Sequence, residues 1–156
     1  MNSATLAAQL ADPLVASVLL PSGIAADATG RALVKSIQAT DRPALVSDNV
    51  DLRAALEADG VHLTDASGVG ALRRQLGDGL IIGAECPAER HACMEAAEDG
   101  ADYVAVRVTE DNHAAVLDLL AWWQEIMTVP IVAFLEAGID EDSLRDSADF
   151  ISPPAG

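Results

Sequence analysis

Hydrophobic and polar residues alternate along the chain in two patterns that succeed each other regularly. Short apolar or β-branched runs are typical of strands, and Ala-rich segments with a period near 3.6 residues are typical of helices. The first pattern predicts strands at Val15–Leu20, Pro43–Ser47, Gly60–Thr64, Leu80–Ala84, Tyr103–Val108, Pro130–Phe134 and Ala148–Ser152. The second predicts helices near Thr29–Ala39, Val50–Ala58, Gly68–Leu76, Pro87–Glu98, Asn112–Ile126 and Glu141–Asp146. Strands that alternate with helices in this way form a parallel sheet that helices cover.

Two arrangements of such a sheet remain open on spacing alone, a doubly wound sheet and a (β/α) barrel. The loops are short and no linker divides the chain, so residues 1–156 are predicted to form a single domain. Gly68-Val69-Gly70 lacks the third glycine of the dinucleotide fingerprint and follows a polar loop, and no P-loop motif occurs. The spacing favours the barrel weakly, because a full barrel needs about 200 residues or more.

The charge of the chain excludes several classes of partner. Acidic side chains number 25 and basic ones 9, of which Lys35 is the only lysine, so the formal net charge is −16. Such a surface repels nucleic acid and anionic lipid. It also repels phosphorylated substrates. The 51% content of hydrophobic residues is enough for a packed core and excludes a disordered chain.

The cysteines and the N-terminal segment predict a cytoplasmic protein. Cys86 and Cys93 are too few for a disulfide framework or a four-ligand metal site, and a pair of ordinary thiols is expected. No apolar run reaches the roughly 20 residues that span a membrane. The first twelve residues carry no basic side chain before their apolar stretch, which is unlike a signal peptide.

The middle of the chain carries a more specific pattern. The segments Ala44–Leu52 and Ala58–Leu63, the latter containing Asp-Gly-Val-His-Leu, resemble the central signature of the thiamine phosphate synthase/TenI family. The likeness continues in order through Leu80–Gly83, Ala96–Val104 and Val129–Ala133, and it covers roughly residues 43–152. The resemblance implies a TIM-type (β/α) barrel, here truncated or incomplete, with about seven parallel strands. Whether Val15–Leu20 matches the first or the second strand of the family's barrel stays open.

The resemblance also implies a reaction and its requirements. Members of the family join hydroxymethylpyrimidine pyrophosphate to thiazole phosphate and release pyrophosphate with the help of Mg²⁺. Carboxylates to hold the metal, and cations and backbone amides to hold phosphates, are the groups that such chemistry needs. The expected substrates are therefore phosphorylated pyrimidine and thiazole compounds.

Carried over residue by residue, the resemblance selects seven candidate site residues. Asp48 matches the first metal-binding aspartate, and Asp65 could replace the second, whose own position is taken by Ser67. The expected substrate-binding residues are Ser47, Asn49, Ser67, Glu85 and Thr109. Glu85 stands where the family has a small hydroxyl residue. Asp48, Asp65 and Glu85 together form a candidate divalent-cation site, and the sequence identifies no catalytic residue.

Several departures from the family pattern concern phosphate. The loop that begins near Val108 lacks the family's lysine, and Leu135-Glu136 replaces a Gly-Gly phosphate turn. These departures predict little synthase activity and leave an alternative open, a non-catalytic TenI-like protein that binds a small molecule or serves as a partner subunit. An incomplete barrel also predicts a homodimer, with Trp122 or Trp123 at the contact. His62 is expected to be a buried structural histidine.

Overall fold

The protein, in a computed structural model, is described from residue 3 to residue 154, with side chains from residue 6 onward. It divides into two compact units, Met1–His62 and Leu63–Gly156, here called unit 1 and unit 2. The helices are α1 (Ser3–Leu10), α2 (Ala28–Gln38), α3 (Val50–Leu56), α4 (Val69–Leu76), α5 (Arg90–Glu98) and α6 (His113–Ile126). The strands are β1 (Val18–Leu19), β2 (Ala44–Ser47), β3 (Gly60–Leu63), β4 (Ile81–Cys86), β5 (Tyr103–Val108), β6 (Ile131–Leu135) and β7 (Phe150–Ser152).

In unit 1, the strands β1, β2 and β3 pair in chain order and run parallel. Helix α2 begins where the Asp27 side chain accepts a hydrogen bond from the Gly30 amide at 2.8 Å, and it buries Val34 and Ile37 completely. Gly30 is required at its position, because a Cβ atom there would overlap the Ala25 carbonyl and the Leu56 side chain. This close approach lets α2 pack against α3.

In unit 2, the strands β4 to β7 also pair in chain order and run parallel. The register gives this sheet two different faces. One face is fully buried in its centre and consists of small and β-branched residues: Ile82, Ala84, Val104, Val106, Ile131 and Ala133. The opposite face, called the open face below, carries Gly83, Glu85, Tyr103, Ala105, Arg107, Phe134 and Phe150, of which Gly83 and Ala105 are buried. Phe150 is 45% exposed there.

The sequential strand order within each unit confirms the predicted parallel α/β arrangement and excludes a doubly wound order there, which would reverse at a switch point. The predicted single domain over residues 1–156 stays a prediction. No helix in the described part of the chain is long and apolar enough to cross a membrane.

Several predicted boundaries were wrong, each for a local reason. Helix α5 begins at Arg90 and not at Pro87, because the Glu89 amide donates to the Pro87 carbonyl at 2.7 Å in a tight turn. The segment predicted as a helix from Glu141 is one 3₁₀ turn, Glu141–Ser143, whose first amides are capped by Asp140. The first strand spans two residues only, and α1 was missed because its Ala-rich pattern has no strong polar face.

Candidate functional site

A cleft of about 1010 Å³ opens in unit 2 beside the carboxyl ends of β4 and β5. Glu85 and Cys86 come from the end of β4, and Arg107 and Thr109 come from the end of β5 and the residue that follows it. The loop after β3, from Thr64 to Ser67, and helix α5 form further walls. In parallel α/β folds, this edge of the sheet is where ligands bind, because loops of free sequence meet there. We therefore take this cleft as the candidate site.

Four of the predicted site residues, Asp65, Ser67, Glu85 and Thr109, line this cleft together. The other three, Ser47, Asp48 and Asn49, belong to unit 1, where they end β2 and lead into α3. The roles assigned to all seven stay predictions.

The central contact of the cleft joins Glu85 and Arg107. The Arg107 guanidinium donates from Nε to Glu85 Oε1 at 2.9 Å and from Nη2 to Glu85 Oε2 at 2.8 Å. Side-chain exposure is 19% for Glu85 and 49% for Arg107. Hydrogen bonding to Glu85 raises the pKa of Arg107 above its ordinary value. Glu85 thus uses both of its carboxylate oxygens in this pair, and Arg107 uses one edge of its guanidinium.

A second set of hydrogen bonds fixes the loop that carries Thr109. The Thr109 amide donates to Asn112 Oδ1 at 2.8 Å, and the Asn112 amide donates to Thr109 Oγ1 at 3.3 Å. Asn112 Nδ2 donates to the Arg107 carbonyl at 2.9 Å. Asn112 therefore binds both the strand end and the loop, and the Thr109 hydroxyl, predicted to bind substrate, takes part in this internal network.

Asp65 stabilises the turn that follows β3. Its Oδ1 accepts the Ser67 amide at 2.9 Å, at the start of the 3₁₀ turn Ala66–Gly68. Hydrogen bonds from the Ser67 amide and hydroxyl hold the pKa of the fully exposed Asp65 carboxyl below its ordinary value. The two residues were predicted for metal and substrate, and in this structure they bind each other.

The unit 1 residues have local roles as well. Asn49 caps α3, since its Oδ1 accepts the Leu52 amide at 2.8 Å. Asp48 adopts a left-handed backbone with φ of 52°, and its amide donates to the His62 carbonyl at 3.0 Å. A non-glycine residue in this conformation is uncommon, and aspartate is one of the types that tolerate it. His62 itself is 2% exposed, in agreement with the prediction that it is buried.

The magnesium ion implied by the resemblance does not fit the side chains of unit 2. Both Glu85 oxygens are bound to Arg107, and one Asp65 oxygen is bound to the Ser67 amide. Among residues 3–154, no group of three or more His, Cys, Asp or Glu side chains is arranged to hold a metal ion. We therefore assign no chemical step to a metal in this cleft.

The cleft is strongly acidic. Its walls carry five carboxylates and one guanidinium: Asp65, Glu85, Glu95, Glu98, Asp99 and Arg107. Sequence reasoning missed Arg107 and Asn112. In the sequence, Arg107 is the one charged residue of an otherwise apolar strand. Because side chains point alternately to the two sides of a strand, this residue indicates that one side is not fully packed.

The two adjacent tryptophans differ in their burial. Trp123 is 1% exposed and donates from Nε1 to the Val129 carbonyl at 2.7 Å, so it belongs to the core and was wrongly predicted as a possible surface contact. Trp122 is half-buried, with the Arg90 guanidinium 4.8 Å from its ring centroid.

Comparison with known proteins identifies the family. The family model for thiamine monophosphate synthase matches residues 22–150. The thiamine-phosphate synthase of Erythrobacter litoralis is 40% identical over 121 residues, which are 69% of this chain and 56% of that protein. The thiamine-phosphate synthase of Rhodospirillum centenum is 35% identical over 129 residues, 77% of this chain and 62% of that protein. The chain thus spans 56 to 62% of the length of these two relatives.

A solved structure gives the same result for the fold. The thiamine phosphate pyrophosphorylase from Pyrococcus furiosus superposes with a TM-score of 0.70 at 25% identity, covering 88% of this chain and 72% of that one. This likeness and the parallel, sequential strands confirm the predicted TIM-type α/β fold with about seven strands. The match over most of its residues shows that this chain belongs to the thiamine monophosphate synthase/TenI family.

Proposed function

We propose that this chain is a divergent member of its family whose cleft binds a small molecule that carries no phosphate group. On this proposal, the chain forms thiamine phosphate from hydroxymethylpyrimidine pyrophosphate and thiazole phosphate weakly or not at all. The observation that carries the proposal is the bidentate pairing of Arg107 with Glu85. Arg107 is the one basic side chain among the residues that line the cleft.

Electrostatics supports the proposal. A phosphate ester in the cleft would meet the four carboxylates of Asp65, Glu95, Glu98 and Asp99 while Glu85 holds the only guanidinium. Like charges a few ångströms apart repel by about 1 kcal/mol or more, depending on how well water screens them. A neutral or cationic heterocycle meets no such repulsion. The carboxylates would instead accept hydrogen bonds from its ring nitrogens or amino groups.

The turn after β6 gives a second, independent support. The resemblance implies a Gly-Gly turn here whose amides approach a phosphate, whereas this chain has Leu135 and Glu136. The Leu135 side chain is 4% exposed, and the Glu136 amide donates to the Val108 carbonyl at 3.0 Å. That amide is therefore used within the sheet. The exposed Glu136 carboxylate adds a negative charge at this turn.

A second candidate function is the synthase reaction itself, and the identities of 35 to 40% with thiamine-phosphate synthases favour it. In that case the substrates are the phosphorylated pyrimidine and thiazole, with Mg²⁺ as the cofactor that the family resemblance implies. The unit 2 cleft supplies Thr109, Asn112 and the exposed Ser67 for hydrogen bonds to such substrates. A cytoplasmic location and a homodimer belong to both candidates and remain proposals.

Calorimetry with two matched ligands tests the proposal. The protein is titrated with thiazole phosphate and, separately, with the corresponding thiazole alcohol, which differs only in the phosphate. We expect the alcohol to bind at least as tightly as the phosphate, whose dissociation constant should lie beyond about 1 mM. The Erythrobacter litoralis synthase, titrated in parallel, is the positive control. Micromolar binding of thiazole phosphate to this chain would contradict the proposal and favour the synthase.

A further inference from the structure

We propose that Glu85 is the residue that keeps anions out of the unit 2 cleft, because it acts as an internal counter-ion for Arg107. This inference rests on the proposed function, in which the cleft takes a ligand without phosphate. It assigns that selectivity to one side chain. It also predicts that a single substitution converts the cleft into an anion-binding site.

The geometry of the pair supports a blocking role. An arginine recognises phosphate or carboxylate best through two parallel N–H groups on one edge of its guanidinium. In Arg107 the Nε and Nη2 edge is the one that binds both Glu85 oxygens, at 2.9 and 2.8 Å. An incoming anion would therefore have to displace Glu85 from this edge.

Exposure shows that an anion could otherwise reach the arginine. The Arg107 side chain is 49% exposed and stands on the open face of the sheet. Glu85 is 19% exposed and lies on the neighbouring strand, where it pairs in register with Ala105, two residues before Arg107. The Arg107 guanidinium can therefore be reached from solvent, and Glu85 is the group with which an incoming anion would compete for it.

The backbone of Arg107 is held independently of Glu85. Asn112 Nδ2 donates to the Arg107 carbonyl at 2.9 Å, and Asn112 is itself fixed by two hydrogen bonds with Thr109. Removing the Glu85 charge should therefore leave the strand end in place. An anion that binds to Arg107 then does not have to order the backbone first, and its affinity is not reduced by that cost.

The test compares four proteins by calorimetry with inorganic pyrophosphate as the probe, in a buffer free of phosphate and sulfate. They are the wild type, Glu85→Gln, Glu98→Gln, and the double variant Glu85→Gln with Arg107→Gln. Glu98→Gln removes one cleft charge that has no hydrogen bond to Arg107 and is the matched control. We expect Glu85→Gln to bind pyrophosphate at least about tenfold more tightly than the wild type. This gain is the change in affinity that one hydrogen bond to a charged group typically contributes. Glu98→Gln should gain less than about threefold, and the double variant should return to the wild-type value.

The outcomes separate this inference from the proposed function. Failure of Glu85→Gln to gain affinity, with its thermal melting unchanged, would overturn the role of Glu85 and leave the proposed function standing. An equal gain in Glu98→Gln would mean that general charge alone excludes anions, which also overturns it. Tight pyrophosphate binding by the wild type would overturn the proposed function itself. If Glu85→Gln does not fold, Glu85→Ser is used in its place, with the same expected gain.

Discussion

Asp102 and Ile82 are joined by two hydrogen bonds that run in opposite directions. The Asp102 amide donates to the Ile82 carbonyl at 2.7 Å, and Asp102 Oδ2 accepts the Ile82 amide at 2.8 Å. The same reciprocal pair recurs on alternate strands, at Asp59 with Ala44 and at Asp149 with Ile131. Each aspartate precedes one strand and accepts a hydrogen bond from the first or second amide of the strand before it. Residues 100–104, Gly-Ala-Asp-Tyr-Val, thus reflect how β5 begins, at the edge of the unit 2 sheet opposite the cleft.

Replacing Asp149 by alanine should therefore destabilise the protein. The change leaves the buried Ile131 amide, 2.9 Å from Asp149 Oδ2, without this partner. An unsatisfied buried donor costs about 1–3 kcal/mol. Chemical denaturation should show this loss, and the exposed Asp146→Ala is the matched control with a change below about 0.5 kcal/mol. Equal effects of the two substitutions would contradict the role given to Asp149.

Gly83 should not tolerate a side chain. A Cβ atom at this position would overlap the Tyr103 ring, which lies across it on the neighbouring strand. Gly83→Ala is expected to cost about 1–3 kcal/mol through overpacking. Gly79→Ala is the matched control, because a Cβ there meets nothing within 4 Å. Equal denaturation midpoints for the two variants would show that Tyr103 does not pack on Gly83 in solution.

The protein should lose stability at alkaline pH through Tyr103. Burial raises the pKa of Tyr103 above its ordinary value, because the charged tyrosinate is poorly solvated there. The unfolded chain ionises this group near pH 10. The stabilising contribution is therefore complete below about pH 10 and is lost as the pH rises towards the pKa of the folded state. Tyr103 is the only tyrosine, so the ultraviolet absorbance of tyrosinate follows it alone.

Titration of Tyr103 in the folded and in the denatured protein tests this prediction. Folded protein should show no tyrosinate absorbance until the pH is well above 10, whereas protein in denaturant should titrate near pH 10. Tyr103→Phe should remove part of the alkaline loss of stability. A titration of the folded protein that coincides with that of the denatured one would show that Tyr103 is solvated.

A homodimer remains a prediction. Because Trp123 is buried in the core, the contact is expected to use other residues. Trp122 and Ile126 lie four residues apart on α6 and therefore share one side of the helix, and Ile126 is 58% exposed. Light scattering of the wild type should give the mass of a dimer at micromolar concentrations. Ile126→Glu should shift it to the monomer, with Glu125→Gln as the control. A monomer mass for the wild type would contradict the prediction.

The fold could be predicted from the sequence because burial and secondary structure follow the same pattern. In the run Tyr103–Val108, Arg107 is the only charged residue, and this strand was predicted with the bounds that the structure shows. Pro87 misled the prediction for α5, because its fixed φ suits a first helical turn and equally suits the tight turn that it makes here. Local pattern does not distinguish these two uses.

The candidate site was predicted only in part, since its contacts join residues far apart in the chain. Glu85 and Thr109 were expected at strand ends and do line one cleft. The pairing of Glu85 with Arg107, 22 residues later, depends on the register between β4 and β5, which no local pattern encodes. Asn49 is the opposite case, because its contact is local: it caps α3. The family resemblance led instead to the prediction that Asn49 binds substrate.

The rate of thiamine phosphate formation tests the central claim most directly. The purified protein is incubated with hydroxymethylpyrimidine pyrophosphate, thiazole phosphate and Mg²⁺, and the product is measured by chromatography, beside the Erythrobacter litoralis synthase. Several lost phosphate contacts, each worth a factor of about ten or more, predict turnover at least about a thousandfold below that enzyme. Turnover within about tenfold of it would contradict the account and establish this chain as a synthase.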